Sequence, residues 1–169
     1  VRRCWSALAA VAAFAGCSDQ PATQGQGGAP GLERAAIERG LVRDPADRGL
    51  TGVYARDADR ICIVETASEA RIGALVDYGD DIACTGRGTV AREDGGTALA
   101  VAFGGGCSFT ARFDGDRITF PATVPEACRA LCSGRASFAA LTGERLSDSA
   151  SEAVAMRDTR GGTMCQTAG

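Results

Sequence analysis

Short apolar runs between residues 52 and 120 are cut again and again by "DAD", "ASE", "GDD", "DGG", "GGG" and "DG". Gly and Asp tolerate the backbone angles of tight reversals, whereas a helix of ordinary length needs about ten uninterrupted residues. This punctuation predicts strands near 52–56, 60–66, 71–77, 82–92, 97–103, 107–113 and 116–120. Strands joined in sequence order by tight turns make a mainly β, antiparallel meander, closed as a barrel or folded as a sandwich of about seven strands.

Alternation within the runs supports this reading. Leu99, Val101 and Phe103 share one face, as do Phe109, Ala111 and Phe113, then Ile118 and Phe120, because successive side chains of a strand point to opposite sides. Ala98, Ala100 and Ala102 occupy the other face of the fifth run, and a row of Ala rather than charges implies a cover. The C-terminal part supplies the expected cover. "PEACRALC" opens on Pro125 and has helical spacing, "RASFAAL" reads as a second short helix, and Ser149 and Glu152 stand in capping-box register. Upstream, "GLERAAIERGLV" after Pro30 predicts a short amphipathic helix with Leu32, Ala35, Ala36 and Leu41 on its apolar side, ending near Gly40. Asp44 and Pro45 then read as the cap and first position of a single turn.

The first sixteen residues carry an export pattern: Arg2 and Arg3, then an uncharged run of small apolar residues from Cys4 to Ala15. That run is too short for a hydrocarbon core of about 30 Å. At "FAGC" it resembles the lipobox of bacterial lipoprotein precursors, with Phe14 where Leu, Val or Ile is usual. The resemblance covers residues 1–17. It implies cleavage before Cys17, a diacylglycerol on the Cys17 thiol, and a chain held in the cell envelope; Ser18, in place of Asp, is similar to the outer-membrane-sorted members, facing the periplasm. The alternative is an ordinary secretory signal cut nearby. Residues 17–31 then read as the lipidated cysteine and a Gly-, Pro- and Gln-rich flexible tether, and 32–169 as one globular domain.

Cys62, Cys84, Cys107, Cys128, Cys132 and Cys165 remain in the mature chain, an even number that in an exported protein implies a disulfide framework. Spacing leaves the pairing open. Cys128 and Cys132 share a helical face, so each is expected to reach outward and pin the segment to the barrel or to Cys165. Cys84 and Cys107, both of inward parity, are a candidate pair.

Composition removes several chemistries. All eighteen basic residues are Arg, there is no His, and the net charge is −3. Lacking His, the chain has no Ser-His or Cys-His nucleophile pair and lacks the commonest metal ligand. Its mild acidity gives no footprint for nucleic acid. No metal or cofactor is expected: "CRALC" lacks the His that envelope copper sites add, and Asp77, Asp80 and Asp81 of "DYGDD" lack the spacing of a calcium loop. "CTGRGTV" and "FGGGC" are followed by β-type segments, not by the helix a phosphate cradle needs, and read as bulge, bend or hairpin glycines. Arg87, between two glycines on a neutral stretch, is the candidate contact residue. "LTGVYARD", with Gly52 and Tyr54, is distantly similar to the Gly-x-Trp opening of lipocalin-like barrels.

These features point to a membrane-anchored periplasmic lipoprotein whose non-catalytic β domain binds a protein partner or a small ligand. In this it resembles the small envelope lipoproteins that include inhibitors of proteases and lysozymes. The alternatives are a structural or assembly accessory of the envelope and a carboxylate-based hydrolase using Asp114 and Asp116.

Overall fold

A computed structural model describes residues 30–39, 41–44, 49–93 and 96–166. The signal segment, Cys17, most of the tether and the turn at Pro45 lie outside the described residues. Two compact units divide the chain, Val1–Pro45 and Ala46–Gly169. The first contains helix α1 (Pro30–Glu38), whose Ala35, Ala36 and Ile37 are half-buried while Leu32 is exposed; Leu41, past the helix end, is exposed too. No helix among the described residues is long and apolar enough to cross a membrane.

The second unit is an antiparallel barrel of β1 (Gly52–Arg56), β2 (Asp59–Glu65), β3 (Ala70–Asp77), β4 (Ala83–Arg92), β5 (Ala98–Ala102), β6 (Ser108–Phe113), β7 (Arg117–Thr119) and β8 (Thr142–Ser147). Each strand pairs with the next and β8 returns to β1, closing the ring. The first seven strands lie within a few residues of their expected places. The eighth is a correction to the expected count. Its sequence, "TGERLS", inverts the usual pattern, since Gly143 and Arg145 face inward while Leu146 is exposed.

Every inward residue expected from the alternation joins one core: Leu99, Val101, Phe103, Ala111, Phe113, Ile118 and Phe120 are buried and Phe109 packs against them. Tyr54, Ile61, Ile63 and Ile72 fill the middle of the barrel, each with no exposed surface. Burying side chains of this size contributes about 1.5–3 kcal/mol each. The interior is therefore packed with the protein's own side chains, including an edge-on pair of Tyr54 and Phe113 with centroids 6.4 Å apart.

Strand β4 has two partners in turn. Ala83 to Thr89 pair with β3, and Thr89 to Arg92 pair with β5, so the short β5 leaves the first half of β4 with one open edge. Residues 120–141 fill that gap and plug the same end of the barrel. Ser133 donates its amide to the Ala83 carbonyl at 2.8 Å and accepts the Ala83 amide on Oγ at 3.0 Å. Phe138 enters the cluster of Phe103 and Phe120 at 5.2 and 6.3 Å between centroids. Within the plug, Glu126–Leu131 form a 3-10 helix, the helical element expected of "PEACRALC". "RASFAAL", expected as a helix, is a loop, because Phe138 turns in to fill the barrel end and Ala140 takes a left-handed φ of 58° to lead into β8.

Three disulfides join Cys62 to Cys165, Cys84 to Cys132 and Cys107 to Cys128. Cys128 and Cys132 thus pin the plug to the barrel. The expected pairing of Cys84 with Cys107 is overturned: Cys107 sits one step beyond the Ala102–Ser108 pair and hence level with Gly88, with β5 between. It is four residues along β4 from Cys84, roughly 13 Å at the rise of a strand.

The cover expected over the Ala face of β5 lies elsewhere. Ala98, Ala100 and Ala102 stay half-buried. Helix α2 (Ala150–Ala155) and the residues after it instead pack Ala153, Met156, Met164 and Cys165 on Val53, Cys62, Val64 and Leu75, the outer face of β1 to β3. Gly73 explains the choice. It stands directly opposite Cys62, and a Cβ there would lie 2.8 Å from Met164 Cβ and 2.9 Å from Cys62 Sγ. The expected cap is present, with Ser149 Oγ accepting the Glu152 amide at 3.3 Å.

Candidate functional site

The barrel end opposite the plug is its mouth, formed by the start of β1 and the end of β8 together with the β2–β3, β4–β5 and β6–β7 turns. Its floor is built on Arg145, which the inward parity of β8 aims across the opening. Nη1 donates to the Thr51 carbonyl at 2.8 Å; Nη2 donates to the carbonyls of Gly49 and Gly115 at 2.8 and 3.0 Å. The guanidinium carbon lies 4.7 Å from the Tyr54 ring centroid and 5.8 Å from that of Phe113, a stacking that favours a desolvated cation. Nε stands 3.3 Å from Asp116 Oδ1 but off the hydrogen-bonding direction. The side chain is 7% exposed, and Tyr54 completes the seal by donating its hydroxyl to the Leu50 carbonyl at 2.8 Å.

Above this floor opens a cleft of about 750 Å³ whose walls include Glu65, Arg92, Thr97, Phe113 and Gly115. Arg92 lies over the outer face of Phe113 at 5.3 Å and donates to the Gly96 carbonyl at 3.2 Å. Glu65 accepts the amides of Leu50 and Thr51 at 2.6 and 3.1 Å, so its carboxylate fixes the strand that enters the barrel. The rim thus brings together a cation, an anion and the exposed Thr97 above the buried Phe113 ring, at strand ends held by a rigid floor.

Sequence reasoning did not single out Arg145, Arg92 or Glu65. The one available signal was Tyr54 at the barrel opening, whose ring needs a partner at its polar end; no spacing rule connects it to an arginine on a strand so far along the chain.

Arg87, the candidate contact residue, lies on the outer face of β4. Its Nε donates to the Thr163 carbonyl at 2.8 Å and its guanidinium pairs with Asp158, so it clamps the C-terminal segment to the barrel. Burial pushes the Asp158 carboxyl upward, but the amides of Gly162 and Arg160 and the Arg87 charge together hold it below the usual carboxylate range. The glycines flanking Arg87 stand where neighbouring atoms approach the backbone closely. A Cβ on Gly86 would meet the Phe103 ring at 2.8 Å, and one on Gly88 the Ala102 carbonyl at 1.9 Å.

The acidic clusters stand in turns. Asp77 accepts the Gly79 amide at 2.9 Å, Asp80 and Asp81 take left-handed φ values of 51° and 61°, and Asp114 accepts the Arg117 amide at 2.9 Å. Asp116 is 77% exposed and leans toward Arg145. Among the described residues no group of three or more Cys, Asp or Glu is placed to hold a metal ion. Compared with known proteins, the chain matches no protein-family model, no curated protein and no solved structure.

Proposed function

We propose that this chain is a lipid-anchored protein of the bacterial envelope, tethered through Cys17 and facing the periplasm, whose barrel is a non-catalytic binding module with its recognition surface at the mouth. The observation that carries the binding reading is the filled interior. Tyr54, Ile61, Ile63, Ile72, Leu99 and Ile118 occupy the barrel with no exposed surface, so a ligand meets the rim and not a central cavity. The rim offers Arg92 and Glu65 for charged contacts and Thr97 for a polar one, a mixture suited to a peptide segment of a protein partner. The lipobox-like "FAGC" supports the anchor.

The test is capture from envelope extracts with a barrel lacking the anchor, beside Arg92→Ala and Glu65→Ala variants. Enrichment of a protein by the parent and its loss from both variants is the expected result. A barrel that captures nothing and whose melting temperature no extract component shifts would remove the binding reading. The anchor is tested separately: Cys17→Ser should move the protein from the membrane to the soluble fraction with its barrel melting unchanged.

A further inference from the structure

Five of the six bridged cysteines are at most 1% exposed; Cys132 alone among them is only partly buried. It lines a cleft of about 220 Å³ on the plug, beside Arg129, Arg135, Ser137 and Phe138. Arg129 is largely exposed and meets Glu126 at 3.3 Å, and Arg135 is exposed with no ion pair among the described residues. The nucleophile in disulfide exchange is a thiolate, and its rate depends on access to sulfur and on the local charge. A small cleft with a reachable sulfur and two guanidinium groups at its edge meets both conditions. Cys128 of the Cys107–Cys128 bridge lines the same cleft beside the same arginines but is 1% exposed, so it meets the charge condition and not that of access, and Cys62 and Cys165 have no exposed surface.

We infer that the Cys84–Cys132 bridge is a thiol-exchange site, reached through Cys132, that works as a reversible clasp on the barrel plug. A dithiol supplies the electrons. One of its thiolates attacks Cys132 Sγ, forming a mixed disulfide, and Cys84 leaves as a thiolate that takes up a proton. The second thiol of the reagent, deprotonated, then attacks its own sulfur of the mixed disulfide and expels Cys132 as a thiolate, which is protonated in turn. The cysteine pair gains two electrons and the dithiol becomes a cyclic disulfide. Expelling a buried thiolate is costly, but that cost is common to all three bridges, so access decides which reacts.

The topology gives the reaction a consequence. Cys132 and Ser133 occupy the edge of β4 that β5 leaves open. With the bridge reduced, the plug keeps only non-covalent holds on that side, the Ser133 hydrogen bonds and the packing of Phe138, while Cys107–Cys128 keeps it attached from the other side. The plug becomes a flap. Its opening bares the β4 edge, a surface able to pair with a further strand. The inference is independent of what the mouth binds.

The experiment exposes the oxidised, folded protein to dithiothreitol at neutral pH, traps thiols with iodoacetamide over time and maps them by peptide mass spectrometry. Cys84 and Cys132 should be labelled about tenfold sooner than the other four. A second arm compares reduced glutathione, which is anionic, with uncharged 2-mercaptoethanol. Arg129→Gln with Arg135→Gln should slow the first by about threefold and leave the second unchanged. Labelling of all six cysteines together, earlier labelling of either other pair, or equal slowing with both reagents would overturn the assignment.

Discussion

Gly52 and Arg145 meet at the seam where β1 closes on β8, and each shows how one residue decides whether the ring shuts. Gly52 has a φ of 146°, and a Cβ there would lie 2.2 Å from the Ser147 carbonyl oxygen. Gly52→Ala forces the two strands apart and should cost on the order of 2 kcal/mol or more, read as a lower urea midpoint. Arg145→Met keeps a chain against Tyr54 and Phe113 but removes the three hydrogen bonds that Arg145 donates to the carbonyls of Gly49, Thr51 and Gly115. Its expected cost is about 2–3 kcal/mol by the same measurement. The inward positions filled by Leu99, Val101, Phe113 and Ile118 were legible in the sequence because apolar alternation reports directly on burial. Arg145 was not, because its inward place is sustained by carbonyls from two separate segments, the stretch entering β1 and the β6–β7 turn, and by two rings, partners that only the closed barrel assembles.

Among the elements, the C-terminal cover depends on two attachments, the Cys62–Cys165 bridge and the Arg87–Asp158 pair. The bridge closes a loop of 103 residues, for which the chain-entropy relation gives about 4–5 kcal/mol. The double variant Cys62→Ala, Cys165→Ala should lose a stabilisation of that order in guanidinium unfolding. The ion pair answers to acid. Asp158 is depressed relative to an unfolded carboxyl near 3.9, so its contribution is complete above that value and is lost as pH falls through the lower folded one. Hydrogen exchange of the amides of Arg160, Gly162 and Met164 should therefore rise below about pH 4, and Asp158→Asn should remove that dependence. The cap at Ser149 and the seven leading strands were readable, since caps, turns and alternation are local. The placement of the cover was not: it turned on a glycine in β3 standing opposite a cysteine in β2, a coincidence of register that no local pattern announces.

On the scale of the whole molecule, three bridges with sequence separations of 103, 48 and 21 residues span the barrel, its cover and its plug. Each contributes about 3–5 kcal/mol by restricting the unfolded chain, against a typical total of 5–15 for a domain. Full reduction should abolish the cooperative melt, whereas opening Cys84–Cys132 alone should leave a lowered but still single transition in calorimetry. The meander carries one more implication. Seven of its eight pairings join neighbours along the chain, and the eighth, β1 with β8, waits for residue 147. A polypeptide emerging from its N-terminus therefore passes through a stage in which an almost finished sheet hangs open, with β1 and β7 both offering raw hydrogen-bonding groups to any passing strand. Such a molecule benefits from guardianship while it is being made, and a nonsense codon ahead of Thr142 would strand it permanently at its stickiest moment.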